Sequence, residues 1–122
     1  MGIAAGIMII LVSMAHNIYG EKKQLPELKK VTNDSIIIGS LRIIIFQGGI
    51  LLFAVGIIQF LVSADIIHLS GISAYFPVGI VSINFITSLL IAGFIHREVF
   101  KVTIPQFVVF SIIIVLQFLS LY

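Results

Sequence analysis

The chain has 122 residues, of which 60% are hydrophobic and 10% are charged, and its net charge is +2. About a quarter of the residues of a soluble domain are ordinarily charged, so this composition excludes a typical water-soluble domain and indicates a protein embedded in lipid. The absence of cysteine excludes thiolate catalysis, disulfides and Cys-ligated metal centres. With so few basic residues, we expect no nucleic-acid partner, and the length fits a single domain.

Four apolar segments follow one another along the chain. A membrane-spanning helix needs about 20 mostly apolar residues. The pattern predicts helices over about residues 2–18, 36–62, 72–95 and 103–122. Asp34 and Ser35 are N-cap residue types before the second helix, and Pro105 falls in the first turn of the fourth, where proline is tolerated. The predicted fold class is all-α: a polytopic membrane protein whose residues 1–122 form one four-transmembrane-helix bundle.

The basic residues predict the orientation of this bundle. They lie in or beside two of the three predicted loops: Lys22, Lys23, Lys29, Lys30 and Arg42 at the first, and Arg97 and Lys101 at the third. The positive-inside rule places loops rich in Lys and Arg in the cytoplasm. We therefore expect an integral protein of a prokaryotic cell membrane with loops 19–35 and 96–102 cytoplasmic and both termini on the outer face.

Small and polar residues fall on defined faces of the predicted helices, since each residue steps by roughly 100° around a helix. Gly2 and Gly6 form a G-x-x-x-G pattern, the spacing that lets two helix backbones approach closely. Interhelical hydrogen bonds and such close approaches hold helices together in lipid. The predicted helix-packing residues are Gly2, Gly6, Gly48, Gly49, Gly56, Asn84 and Ser88.

The third predicted helix has two such faces. One carries Ser73, Asn84, Thr87 and Ser88, and the other carries Gly79, Ser82 and Gly93. Two explanations are open at this point. Either the helix makes contacts beyond its own four-helix unit, or it lies between two neighbours within that unit.

Ionisable residues avoid the middle of every predicted helix. Proton- and cation-coupled carriers usually keep an ionisable group at membrane depth, so a transporter gains no support here. Glu21, Arg42, Arg97 and Glu98 are predicted to form a polar layer at the cytoplasmic side, in which Glu21 or Glu98 pairs with Arg42. The same layer would attract a quinone headgroup or a lipid phosphate.

Two histidines end predicted helices at this same side, His16 on the first and His96 on the third. Histidines at similar depth on different helices can bind a haem or a metal between them. Histidine is also common at helix C-termini because it favours the negative end of the helix dipole. We predict no metal site and no cofactor, with lipid as the expected bound molecule and haem or quinone at His16, His96 and Arg42 as the alternative.

One local pattern is familiar. The first helix ends in His16-Asn17-Ile18-Tyr19-Gly20-Glu21, followed by a basic loop with Leu25 and Leu28 and then by Arg42. This resembles small four-helix membrane proteins of unknown function, in which the first helix ends in His-x-x-x-Gly-Glu before a leucine-rich basic loop. The resemblance implies the same four-span layout and no activity.

The function expected from these features is that of a non-catalytic accessory or scaffolding subunit. Its partners would be other integral membrane subunits of a larger complex of the respiratory, terminal oxidase or membrane monooxygenase type, together with the lipid bilayer. One alternative is a small homo-oligomeric transporter or channel. Another is a haem- or quinone-binding membrane anchor.

Overall fold

The computed structural model describes all 122 residues and consists of four long helices with no strand. We number them α1 to α4. Each is long and apolar enough to cross a membrane, so the predicted all-α, four-helix transmembrane bundle is confirmed. The helices are α1 (Gly2–Lys29), α2 (Ser35–Ser63), α3 (Gly71–Ile95) and α4 (Arg97–Leu121).

Consecutive helices run antiparallel because the segments that join them are short. α1 packs on α2 and α4, and α3 packs on α2 and α4, so the four helices close into a ring. The turns α1–α2 and α3–α4 lie together at one end, which carries all the Lys and Arg and is called the basic end below. The opposite end carries Met1, the loop of residues 64–70 and Tyr122.

Apolar side chains from all four helices meet in the centre of the ring. The core is formed by Ile9 of α1, Leu52 and Val55 of α2, Val81 of α3, and Phe110 and Ile113 of α4. In lipid these side chains gain little from leaving their solvent, so their contribution is close van der Waals packing. The core therefore keeps the four helices in register without specifying any chemistry.

The first helix is longer than predicted. The sequence indicates an end near residue 18, yet α1 continues to Lys29 through a π-helical turn at Gly20–Gln24. Leu25, in this continuation, is 1% exposed and lies in the part of α1 that packs on α2. The drop in hydropathy at Glu21 marks the end of the apolar stretch and not the end of the helix. Most of the predicted basic loop 19–35 is therefore helical.

The remaining boundaries differ less. α2 and α3 begin and end within one residue of the predicted limits, and the Asp34 side chain caps α2 by accepting a hydrogen bond from the Ile36 N–H at 2.9 Å. α4 starts at Arg97, earlier than predicted, so Pro105 lies inside the helix and not in its first turn. Residues 97–102 are polar enough to resemble a loop, but they form the helix start.

Candidate functional site

The closest approach between two helices is the contact of α1 with α2 at three glycines. A Cβ on Gly6 would lie 2.8 Å from the Phe60 nitrogen and 3.1 Å from the Gly56 oxygen, and one on Gly56 would lie 3.0 Å from the Ile10 nitrogen. Gly2 faces the Ser63 side chain in the same way, with no space for a Cβ. We call Gly2, Gly6 and Gly56 the glycine interface. It brings the backbones of α1 and α2 into direct contact.

A second pair of glycines lies nearer the basic end, and its two members differ. The Asn17 amide occupies the space that a Cβ of Gly49 would need, and Asn17 Oδ1 is buried against it without a hydrogen-bond partner. A Cβ on Gly48 would make only ordinary contact, at 3.6 Å from His16 Nε2. Gly49 therefore cannot carry a side chain unless Asn17 moves, whereas Gly48 has room for one.

The three residues of the His-x-x-x-Gly-Glu motif all contact one side of α2. His16 Nε2 lies 3.1 Å from the Ile45 carbonyl oxygen, to which it can donate a hydrogen bond. Gly20 is buried against the Ile45 side chain, which leaves no room for a Cβ. Arg42 makes two bonds to the Glu21 carboxylate, Nη2 to Oε1 at 2.8 Å and Nε to Oε2 at 3.2 Å. We call these five residues the basic-end cluster.

The other residues of the predicted polar layer lie apart from this cluster. His96 Nδ1 is 3.2 Å from Glu98 Oε1, and Arg97 Nε donates to the Gly93 carbonyl at 3.2 Å. The predicted single layer is thus two groups, one between α1 and α2 and one at the α3–α4 turn. Of the two acceptors considered for Arg42, the structure places Glu21 against it and Glu98 with His96.

The two histidines considered for haem or metal binding are engaged separately. His16 contacts α2, and His96 contacts Glu98 beside the α3–α4 turn. The chain contains no group of three or more His, Cys, Asp or Glu side chains placed to hold a metal ion. In this arrangement, both histidines act in contacts between neighbouring segments of the chain.

A buried glutamine pair, absent from the predicted sites, joins α2 to α4 near the opposite end. Gln59 and Gln117 are 5% and 1% exposed, and Gln117 Nε2 donates to Gln59 Oε1 at 3.1 Å. Gln59 Nε2 in turn donates to Ser63 Oγ at 3.0 Å. In the sequence, Gln59 shares its face of the second helix with Gly49 and Gly56, and Gln117 shares its face of the fourth helix with Gln106. Gln106 is nevertheless exposed, as is Gln47, which points away from the face of Gln59.

The polar and small residues of α3 lie mostly outside the bundle. The face of α3 that is turned inward carries Pro77, Val78, Val81 and Ala92. Asn84 and Thr87 are exposed, Ser88 is half-buried, and a Cβ on Gly79 or Gly93 would meet nothing within 4 Å. We call Asn84 and Thr87 the open face of α3, since Gly79 and Gly93 belong to the other face of this helix and are half-buried.

The exposure of Asn84 and Thr87 bears on the two explanations offered for the double pattern on the third helix. Neighbours within the bundle do not cover these residues, although Asn84 was predicted as a packing residue. The Asn84 Nδ2 donates only to the Ile80 carbonyl of its own helix, at 3.2 Å. Any close contact at this face must come from outside the four-helix unit.

Comparison with protein-family models, with curated proteins and with solved structures finds no match to this chain. The geometry of the chain itself is therefore the basis for a functional proposal. Two features stand out in it: the open face of α3 in the middle of the bundle, and the buried glutamine pair near the opposite end.

Proposed function

We propose that the chain is a non-catalytic accessory or scaffolding subunit of a larger integral membrane complex, of the respiratory, terminal oxidase or membrane monooxygenase type. The observation that carries this proposal is the open face of α3. It presents polar residues of the kind that hold helices together in lipid, at a position where this chain supplies no neighbour.

The physical argument rests on Asn84. An amide side chain has two N–H donors and an oxygen acceptor, and the only bond that it makes here is to its own helix. Hydrocarbon offers no partner for the remaining groups, whereas a neighbouring transmembrane helix does, and amides contribute about 1–2 kcal/mol to such contacts in model peptides.

The contrast with α1 and α2 supports the same conclusion. Gly6 and Gly56 are covered by the backbone of the adjacent helix, while a Cβ on Gly79 or Gly93 of α3 would meet nothing within 4 Å. The ionisable residues His16, Glu21 and Arg42 make contacts between α1 and α2, which is a structural use of these groups. A subunit that binds a partner through α3, and whose own fold is stabilised by the contact of α1 with α2, accounts for the covered residues of α1 and α2 and for the uncovered residues of α3.

The test is purification of the tagged chain from its native membrane in a gentle detergent, with mass spectrometry of the proteins that accompany it. We expect larger membrane proteins at fixed stoichiometry and no Soret band in the visible spectrum. Asn84→Leu should remove these partners without lowering the thermal stability of the chain itself, because Asn84 is exposed and bonds only to its own helix. Gln106→Leu is the matched control, since Gln106 is an exposed amide on α4.

Two results would contradict the proposal. One is a purified homo-oligomer that conducts ions or solutes in liposomes and loses conductance on the Asn84→Leu change, which would favour a channel or transporter. The other is loss of partners to the same degree in the Gln106→Leu variant, which would show that the open face has no special role.

We also propose that the basic end faces the cytoplasm. Lys22, Lys23, Lys29 and Lys30 lie on the last turns of α1 or just after it, where the positive-inside rule counts them. Because the chain has no cysteine, a single introduced thiol reports its side of the membrane directly. Lys23→Cys should resist impermeant reagents in intact cells, and Ser70→Cys should react. The reverse labelling pattern would overturn this orientation.

A further inference from the structure

A cavity opens at the opposite end of the bundle, between the ends of α2 and α4 and the starts of α1 and α3. Its volume is about 560 Å³, within the range of about 300–1,000 Å³ found for small-molecule sites. Half of its lining is apolar, including Val78 and Leu119. The polar side chains that line it are Gln59, Ser63, Asp65, Gln117 and Ser120.

Hydrogen bonds within the chain leave this lining rich in acceptors. Gln117 Nε2 donates to Gln59, Gln59 Nε2 donates to Ser63, and the Ser120 hydroxyl donates to the Gln117 carbonyl at 2.7 Å. Gln117 Oε1 is buried with no partner at all. An amide oxygen buried without a hydrogen bond costs about 1–3 kcal/mol, so a ligand that donates to it would remove that cost.

The unpaired acid of the lining points to the same kind of ligand. Asp65 is the only ionisable side chain among the lining residues, which also include Met1 with its α-ammonium group. It lies in the turn after α2 with a positive φ of 59°, and none of the three ion pairs of the chain involves it. A cation with N–H donors satisfies both its carboxylate and the unpartnered oxygen of Gln117.

We propose that this cavity binds a primary ammonium group, which donates hydrogen bonds to Gln117 Oε1 and to the Asp65 carboxylate. The group can belong to the headgroup of an aminophospholipid or to a free small amine, and the apolar half of the lining accommodates the attached carbon atoms. Gln117 is 1% exposed and so forms the base of the cavity. For the oxygen to reach the ligand, the amide must turn about its terminal torsion, which is soft.

The test compares two lipids that carry the same headgroup charges but differ in N–H donors. Phosphatidylethanolamine has a primary ammonium, and phosphatidylcholine has a quaternary ammonium that cannot donate. Native mass spectrometry of the full chain, purified without aminophospholipid and then mixed with each lipid, should show retention of the ethanolamine lipid alone. Gln117→Met should lower that retention at least about tenfold, as expected for loss of a hydrogen bond to a charged group.

Two further variants keep the result interpretable if Gln117→Met fails to fold. Asp65→Asn removes the charge at an exposed turn, and asparagine tolerates a positive φ, so this variant should fold and still retain less ethanolamine lipid. Gln106→Met makes the matched change on the exposed part of α4 and should retain as much lipid as the unchanged chain.

A second measurement identifies the source of the amine. Free ethanolamine in excess should raise the melting temperature of the lipid-free chain if soluble amines bind, since a ligand that binds only the folded state stabilises it. A rise in the unchanged chain but not in Asp65→Asn supports a free amine, and lipid retention without that rise supports the headgroup. Equal retention of both lipids, or neither retention nor a rise, would overturn the proposal.

Discussion

The two helical hairpins of this protein, α1–α2 and α3–α4, are similar in hydropathy and differ in how their helices meet. α1 and α2 touch through glycines, so that backbone lies on backbone. α3 and α4 touch through aromatic rings: Phe107 of α4 lies 5.8 Å from Phe85 of α3, measured between ring centroids. Gly2, Gly6 and Gly56 of the first hairpin are used in the contact between its own helices, whereas a Cβ on Gly79 or Gly93 of the second would meet nothing within 4 Å.

The difference teaches that a small residue in a transmembrane helix has two opposite uses. At Gly6 and Gly56 the missing side chain brings two parts of the same chain together. At Gly79 and Gly93 the missing side chain leaves a surface that a helix of another protein can approach closely. The first hairpin also has contacts at three depths, at Gly2–Ser63, at Gly6–Gly56 and at Glu21–Arg42. It is the more extensively packed half of the molecule, and under our proposal the second hairpin presents the surface for a partner.

The largest expected effect comes from filling the glycine interface. Gly6→Leu should lower the free energy of unfolding in detergent by about 1–3 kcal/mol or more, the usual cost of overpacking, because the new Cβ meets the Phe60 backbone at 2.8 Å and backbone cannot move aside. Gly93→Leu makes the same change on α3, where nothing lies within 4 Å, and should cost little. Equal losses for the two variants would remove the distinction between the hairpins.

A smaller effect is expected at the adjacent glycines of α2. Gly48→Ala should be neutral or stabilising by up to about 1 kcal/mol, the difference in helix propensity between the residues, because its Cβ has room. Gly49→Ala should be destabilising, since its Cβ needs the space that the Asn17 amide occupies. Thermal unfolding of both variants measures this difference. Adding Asn17→Ala to Gly49→Ala should restore stability, and failure to do so would show that Asn17 is not the obstacle.

The smallest effect concerns the ion pair of the basic-end cluster. The side chains of Arg42 and Glu21 are 45% and 43% exposed, so a double-mutant cycle with Arg42→Gln and Glu21→Gln should give a coupling of about 0.2–1 kcal/mol, weakening with added salt. The pair of Lys30 and Glu27, each 68% exposed, provides the comparison and should give less. A larger coupling at the more exposed pair would contradict this ranking of the two contacts.

The sequence by itself determined the number of helices, the limits of α2 and α3 and the separation of all basic residues to one end. These properties depend on the local content of apolar and charged residues, and hydrocarbon requires each spanning segment to form its own backbone hydrogen bonds. Hydropathy placed the end of α1 too early because a helix can leave the apolar region and continue. The Leu25 contact that accompanies this continuation is a tertiary feature.

The partners of individual side chains were decided only by the tertiary structure. The sequence offered both Glu21 and Glu98 to Arg42, and it placed both Gln106 and Gln117 on one face of the fourth helix, although only Gln117 meets Gln59. Which of them meet depends on the rotation and depth of one helix against another. Packing sets that rotation through the sum of many small contacts, and no single residue type encodes it. For the same reason, the open face of α3 and the cavity beside Gln117 became visible only when the four helices were assembled.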